Sequence, residues 1–174
     1  MKIISKNENT AICPNQACGR NTPFRTRGFV ALAGTFGYEL DITKMSGEDK
    51  ALIDTQVACY HKYNPLVREG VYYKIASARE NGSDYDAWEV VSKDKTEALV
   101  TLVQVLNRPN FHSRKLIIKG LDMTKTYKVE MEDSTGKTQD LGSWSALTLQ
   151  GAGLLLARPW GDFQSQLIHL KSER

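Results

Sequence analysis

Two carboxylates lie two positions apart at the end of an apolar stretch near the start of the chain. The stretch covers residues 28–41, GFVALAGTFGYELD, and its polar end carries Tyr38, Glu39 and Asp41. On an extended strand, side chains two positions apart share one face and lie about 7 Å apart. Two acids at that spacing could carry out hydrolysis. The alternative that we favour is structural: Asp41 and Thr43 begin the link to a helix, and Glu39 pairs with a nearby arginine.

The other reactive residue types form no self-contained catalytic motif. The sequence contains no nucleophile elbow, phosphate-binding loop, zinc-protease motif or dinucleotide fingerprint. Its three cysteines are an odd number, which argues against a disulfide framework and fits a reducing cytoplasm. Neither the cysteines nor the histidines have the spacing of a metal-ligand set, so we predict no metal site and no cofactor. These residues are Cys13, Cys18, Cys59, His61, His112 and His169.

The composition is typical of a globular protein with a single core. The chain has 174 residues, of which 41% are hydrophobic and 25% charged, and its net charge is +3. A nucleic-acid binder normally has a basic face. Here only Arg20, Arg25 and Arg27 form a local basic group, and such arginines are more often solvated or paired than part of a phosphate site. We therefore predict no nucleic-acid partner. No apolar run reaches the roughly 18 residues of a membrane span, so we predict no membrane partner either. Together with the cysteine count, this predicts a cytoplasmic location.

The first part of the chain predicts an irregular leader, one strand and one helix. Residues 1–27 are interrupted every few positions by proline, glycine or asparagine. Residues 29–33 form a short apolar run between glycines, which is typical of a strand buried on both faces in a parallel sheet. Ser46 followed by acidic residues predicts the start of a helix. Pro65 predicts the end of that helix near Asn64.

From Gly70 onward the hydrophobic period changes from helical to alternating. Residues 97–106 are apolar on both faces, so we place that strand in the centre of its sheet. Short strands with a turn about every ten residues predict an antiparallel β-sandwich. The predicted strands are 71–76, 86–92, 97–106, 114–119, 126–132, 137–141 and 162–171. The chain therefore divides into a leader at 1–27, a strand–helix unit at 28–69 and a sandwich domain at 70–174.

Residues 13–46 closely resemble the late part of the bacterial α-galactosidases, or melibiases, of glycoside hydrolase family thirty-six. In that family a P-N-x-x-x-G-R segment precedes T-R-x-x-V-A-x-x-G-x-F-G-Y-E-L-D, and both patterns occur here. Two further family motifs follow at the expected spacing, K-G-L-D at residues 119–122 and G-D-F-Q-S at residues 161–165. The resemblance covers residues 13–172.

The resemblance implies an architecture for this chain. The family's enzymes contain a (β/α)8 barrel followed by a C-terminal antiparallel β-sandwich. Residues 28–41 would then be the last barrel strand, residues 46–64 the last barrel helix, and the residues from about 70 onward the C-terminal sandwich. We therefore expect a mostly β fold in which that sandwich follows the last strand–helix unit of an incomplete barrel.

The resemblance also implies that catalytic residues are missing. The family uses two aspartates in a retaining mechanism, one in a K-W-D motif and one in an S-D-D-type motif, and neither motif occurs here. Residues 83–86, Ser-Asp-Tyr-Asp, have similar letters but lie in a predicted turn of the sandwich. No catalytic residue is carried over, and we expect the chain alone to be inactive. α-Galactosides would be ligands only in the context of the full enzyme.

Two further functions stay open. The first is a stand-alone carbohydrate-binding or protein-interaction module, for which Trp88, Trp144 and Trp160 are candidate contact residues, although tryptophans are more often core residues. The second is an obligate partner of a complementary barrel chain, or self-association. A strand at residues 29–33 would have no β neighbour in this chain, which would leave unpaired edges and exposed apolar surface.

Overall fold

The helical elements lie mostly in the first half of the chain. The computed structural model describes residues 19–38, 40–80, 83–110 and 113–173. The helices are α1 (Phe24–Ala31), α2 (Gly47–Glu69) and α3 (Ala146–Gly151), and a short 3-10 turn spans Ile42–Lys44. The strands are β1 (Val71–Ala76), β2 (Tyr85–Val91), β3 (Glu97–Gln104), β4 (Ser113–Leu116), β5 (Thr126–Asp133), β6 (Thr138–Ser145), β7 (Leu154–Ala157) and β8 (Gln164–Ser172).

The strands form two antiparallel sheets. The larger is a six-stranded sheet with the order β1-β2-β3-β8-β5-β6, and β4 pairs with β7 in a two-stranded sheet. Strand β3 lies inside the larger sheet and is buried from Ala98 to Gln104, which confirms its predicted central position. The mostly β fold is likewise confirmed. The proposed boundaries at 27 and 69 stay a prediction.

The inner face of the large sheet packs against β4, β7 and α3. Alternate side chains of β5, at Tyr127, Val129 and Met131, point to this face, as the period of two predicts. Ala98, Val100 and Leu102 of β3 join them. We call this group, with the side chains of β4, β7 and α3 that cover it, the inner core.

The outer face of the same sheet packs against the helices α1 and α2. The contact is a second cluster, the helix–sheet core, to which both helices and three strands contribute. Its members are Phe29, Leu32, Tyr63, Leu66, Val90, Leu99 and Leu167. Helix α2 begins as the sequence predicts, because the Asp49 N–H donates to Ser46 Oγ at 3.0 Å. Both faces of the sheet are therefore covered at its central strands β2, β3 and β8.

The prediction of a strand at residues 28–41 is wrong. Residues 24–31 form helix α1, and the rest of the stretch that the structure describes contains no strand. A short apolar run is compatible with a buried strand or a buried helix. A strand here would need β neighbours, whereas a helix satisfies its own backbone and can bury its side chains against α2 and the outer sheet face. Phe29 and Leu32 are accordingly each 3% exposed, so the predicted exposed apolar surface is wrong as well.

Other element boundaries also differ from the prediction. Helix α2 continues through Pro65 to Glu69. Tyr63 and Leu66 are buried in the helix–sheet core on either side of the proline, and these contacts hold the last turns in place. Helix α3 and strand β7 were not predicted. Ser145 Oγ accepts a hydrogen bond from the Thr148 N–H at 3.1 Å and so starts α3.

The K-G-L-D segment, residues 119–122, is a turn that packs against the edge strand β1. Gly120 has a φ of 70°, a conformation that favours glycine. A Cβ atom at this position would lie 2.5 Å from the ring of Tyr73. The glycine is therefore required by both the backbone angle and the close approach of β1.

We expect Gly120→Ala to destabilise the protein more than Gly142→Ala. Gly142 has a similar φ of 80° but no atom within 4 Å of the added Cβ. The Gly142 variant should lose about 1–2 kcal/mol from the backbone conformation, and the Gly120 variant a further 1–3 kcal/mol or so from overpacking. Urea unfolding of both variants measures the difference. Equal losses would show that Tyr73 does not constrain the turn.

Candidate functional site

The acidic end of the opening stretch forms a helix-linking turn. The Asp41 carboxylate accepts hydrogen bonds from the Thr43 N–H at 3.0 Å and from Thr43 Oγ1 at 2.5 Å. Asp41 is exposed, and these two bonds, the hydroxyl bond first, lower the pKa of its carboxyl group. The structural interpretation of Asp41 and Thr43 is confirmed. Glu39, the second acid of the predicted pair, lies outside the described residues.

Tyr38 is held by contacts with both helices. Its hydroxyl donates to Gln56 Oε1 at 2.9 Å, and Gln56 Nε2 donates to the carbonyl of Phe24 at 3.0 Å. Its ring lies 6.0 Å from that of Phe24 and 5.3 Å from that of Phe36. Burial, reinforced by the charge of Asp54, raises the pKa of Tyr38 to about 12. A phenol that stays protonated and bonded to Gln56 positions the backbone rather than acting as a base.

The local group of arginines pairs within the protein, as predicted. Arg25 forms an ion pair with Glu132 on β5. The guanidinium of Arg20 lies 4.9 Å from the ring centre of Phe163, and that of Arg27 lies 4.8 Å from the ring centre of Phe24. The Arg25 contact joins α1 to β5, the Arg20 contact joins the residues before α1 to those before β8, and the Arg27 contact lies within α1.

The structure brings two of the sequence motifs into direct contact. Thr26 belongs to the T-R motif and Ser165 to the G-D-F-Q-S motif, and their hydroxyl oxygens lie 2.8 Å apart in a hydrogen bond. Both residues are 0% exposed. A cavity between α1, α2 and β5, lined by neither of these two residues, measures about 20 Å³, which is room for about one water molecule. The motifs therefore build a packed joint rather than a ligand pocket.

The two carboxylates of residues 83–86 also serve the sandwich. Asp84 accepts from Arg114 Nη2 at 2.8 Å, and the Arg114 guanidinium lies 3.7 Å from the ring centre of Tyr85. Asp86 accepts from the Ala78 N–H at 2.8 Å. Asp86 lies in β2, within the strand predicted at 86–92. Sequence reasoning missed Arg114, since a lone arginine in a strand gives no sign of burial.

The remaining titratable residues form no metal centre in the described ranges. His169 Nε2 lies 2.6 Å from Glu97 Oε1, and burial raises the pKa of the Cys59 thiol to about 11. Cys13, Cys18 and His112 lie outside the described residues. Elsewhere, no group of three or more metal-ligating side chains occurs.

The three tryptophans differ in exposure. Trp160 is 90% exposed and Trp144 39% exposed, whereas Trp88 is half-buried. The expectation that tryptophans are core residues is therefore wrong for Trp144 and Trp160. Separately, none of the helices in the described ranges is long and apolar enough to cross a membrane. The cytoplasmic location stays a prediction.

Comparison with protein families places both parts of the chain in one group. The model described as "Melibiase" matches residues 2–70, and the model described as "Glycosyl hydrolase family 36 C-terminal domain" matches residues 85–170. α-Galactosidase AgaA of Geobacillus stearothermophilus is 36% identical over 98% of this chain. α-Galactosidase Mel36A of Lactobacillus acidophilus is 34% identical over 94% of it.

Solved structures agree with these matches. The crystal structure of α-galactosidase AgaA from G. stearothermophilus in complex with raffinose has a TM-score of 0.83 and is 36% identical, over 94% of this chain and 21% of that chain. The crystal structure of AgaB from the same organism has a TM-score of 0.82 at 37% identity, with the same coverage of both chains.

The fold and the joint define a class of protein: the C-terminal β domain of a glycoside hydrolase with a short portion of its barrel attached. More specifically, the chain belongs to glycoside hydrolase family 36 and corresponds to a segment of an α-galactosidase. It spans 22% of the length of AgaA and 21% of the length of Mel36A.

A double-mutant cycle tests the joint between the two motifs. We expect Thr26→Val and Ser165→Ala each to lower the free energy of unfolding by about 1–3 kcal/mol, because each leaves a buried hydroxyl without its partner. The double variant should lose scarcely more than either single variant, since both hydroxyls are then gone. Chemical denaturation of the four proteins gives the coupling free energy.

Ser143→Ala is the matched control for this cycle. The Ser143 hydroxyl donates to Glu173 at 2.7 Å in an exposed position. Its removal should change the stability by less than about 0.5 kcal/mol. Strictly additive effects of Thr26→Val and Ser165→Ala would show that the joint is not formed.

Proposed function

We propose that this chain provides the C-terminal structural part of an α-galactosidase and has no hydrolytic activity of its own. In the whole protein the reaction would be hydrolysis of terminal α-galactosyl residues. The observation that carries this proposal is the absence of both the K-W-D and the S-D-D motif from the sequence. A retaining glycosidase needs two carboxyl groups about 5–5.5 Å apart.

The contacts of the motif carboxylates support a structural role. Asp122 of K-G-L-D accepts from the Thr124 N–H at 3.0 Å and from its hydroxyl at 2.7 Å. Asp162 of G-D-F-Q-S accepts from the Asn107 N–H at 2.6 Å. Asp84, the closest match to the missing acid motif, is paired with Arg114. Each of these carboxylates fixes a turn or a strand end instead of facing an open site.

A complementary barrel is the partner that this proposal requires. It would supply both catalytic aspartates, either from the same polypeptide or from a separate chain. Exposed apolar residues flank both ends of α2: Ile42 is 54% exposed, Val71 47% and Tyr72 46%. Burial of such side chains would stabilise a contact with a neighbouring domain. Self-association through the same residues is the alternative.

We expect the purified chain to release no product from an aryl α-galactoside above the background of a mock purification. The Asp84→Asn and Asp86→Asn variants serve as controls for contaminating host enzyme. Activity that survives purification and disappears in either variant would overturn the proposal. Addition of AgaA lacking the region matched by this chain should restore turnover if the chain acts as a structural complement.

A carbohydrate-binding module is a second candidate because Trp160 is almost fully exposed. An exposed indole can stack on a sugar ring, and stacking changes its fluorescence. If this candidate is correct, titration with galactose or raffinose should shift the emission of the native chain but not that of Trp160→Phe. An unchanged spectrum at saturating sugar would rule out a role for Trp160 in binding sugar.

A further inference from the structure

A glutamate lies in the middle of the inner core. Glu89 on β2 is 0% exposed, and its neighbours on the same face of the strand are Ala87 and Val91. Its Oε2 accepts from the Lys119 N–H at 2.8 Å. Its Oε1 has no hydrogen-bond partner among the described residues. Buried carboxylates usually have their oxygens satisfied, so this one calls for an explanation.

Glu89 belongs to a set of contacts that hold the edge strand β1. Tyr73 of β1 lies opposite Glu89 in the strand register, and Gly120 packs against the Tyr73 ring. Lys119 Nζ donates to the carbonyl of Lys74 at 2.9 Å. We call these four side chains and backbone groups, from Tyr73, Glu89, Lys119 and Gly120, the β1 clamp. The clamp ties β1 to the K-G-L-D turn, and Glu89 on β2 holds the same turn through the Lys119 N–H.

The surroundings of Glu89 favour its neutral form. Its partner on β3 is the apolar Val100 and its partner on β1 is Tyr73; the charge that acts on it is that of Lys119. Burial raises the pKa of Glu89 to about 8, although the N–H and the charge of Lys119 act in the opposite direction. The Lys119 ammonium is directed at the Lys74 carbonyl, so it forms no ion pair with the carboxyl group.

We propose that Glu89 is a proton-dependent latch, which holds the β1 clamp closed as the neutral acid and opens the edge strand β1 when it ionises. On ionisation the carboxyl group releases its proton to solvent. The buried charge then draws the Lys119 ammonium away from the Lys74 carbonyl and admits water beside Tyr73. Because β1 begins directly after α2, this opening loosens the connection between the helices and the sandwich. The latch does not depend on the proposed role of the chain as part of an α-galactosidase.

The direction of the pH dependence follows from the raised pKa. The pKa in the folded state is about 8, above the ordinary value of 4.5. The contribution of Glu89 to stability is therefore complete below pH 4.5, falls as the pH rises to about 8, and is constant above that pH. Within this window a single group of this kind increases the unfolding equilibrium constant by up to about tenfold per pH unit.

Urea unfolding of the 174-residue chain between pH 5 and pH 9 tests the latch. Glu89→Gln keeps an acceptor for Lys119 and cannot ionise. Between pH 5 and pH 8 the unfolding equilibrium constant of the wild-type chain should rise by up to about tenfold per pH unit because of Glu89, and this rise should be absent in Glu89→Gln. Glu80→Gln is the control, because Glu80 forms an exposed ion pair with Lys74 of the same strand at 2.6 Å and should leave the dependence unchanged. A Glu89→Gln variant that retains the wild-type dependence would overturn the proposal.

Two measurements on the wild-type chain decide the matter even if Glu89→Gln does not fold. Carbon-13 NMR of the glutamate carboxyl groups should show one group that titrates near pH 8, and titration of all of them near pH 4.5 would contradict the latch. Hydrogen exchange, corrected for the intrinsic effect of pH, should show that β1 amides lose protection through the same pH range while β3 amides keep theirs. Equal behaviour of the two strands would contradict local opening.

Discussion

The fold depends on covering both faces of β2, β3 and β8 in the six-stranded sheet. Strand β3 is apolar on both sides, so an outer face without α1 and α2 would expose Leu99 together with Val90 and Leu167. Each fully buried Leu or Phe side chain stabilises the folded state by about 1.5–3 kcal/mol. The helix–sheet core is therefore as necessary as the inner core. Residues that precede the sandwich in sequence are part of its hydrophobic packing.

The sequence predicted the sandwich better than the segment before it. Strand β1 matches its predicted bounds, and the inward residues of β5 follow from alternation alone, because the other face of β5 is exposed at Thr126, Lys128 and Glu130. The apolar run at 29–33 carries no such period. Whether it forms a strand or a helix depends on which neighbours are available, and α2 and the sheet favour a helix. Helix α3 and β7 are short and separated by glycines, so their local patterns were too weak to predict.

The contacts between motifs could not be predicted at all. Thr26 and Ser165 are 139 positions apart, and no periodicity links such residues. The buried state of Glu89 was equally hidden, since a single acid in an apolar strand can point to either face. By contrast, the structural role of Asp41 could be predicted from the local sequence, because an aspartate side chain commonly accepts a hydrogen bond from the backbone two residues further on in a turn. Two of the motifs that identify the family, T-R and G-D-F-Q-S, thus join the first helix to the sandwich.

Native-state hydrogen exchange of α1 tests most directly whether the helices and the sandwich unfold together. If the helix–sheet core joins the helices and the sandwich into one folding unit, the amides of Val30–Leu32 should open only with the free energy at which the β3 amides open. Phe29→Ala, which removes one side chain from the helix–sheet core, should then lower the protection of both segments by the same amount. Rapid exchange of the α1 amides while β3 stays protected would show that the helices are not held by the sheet, and would contradict this account.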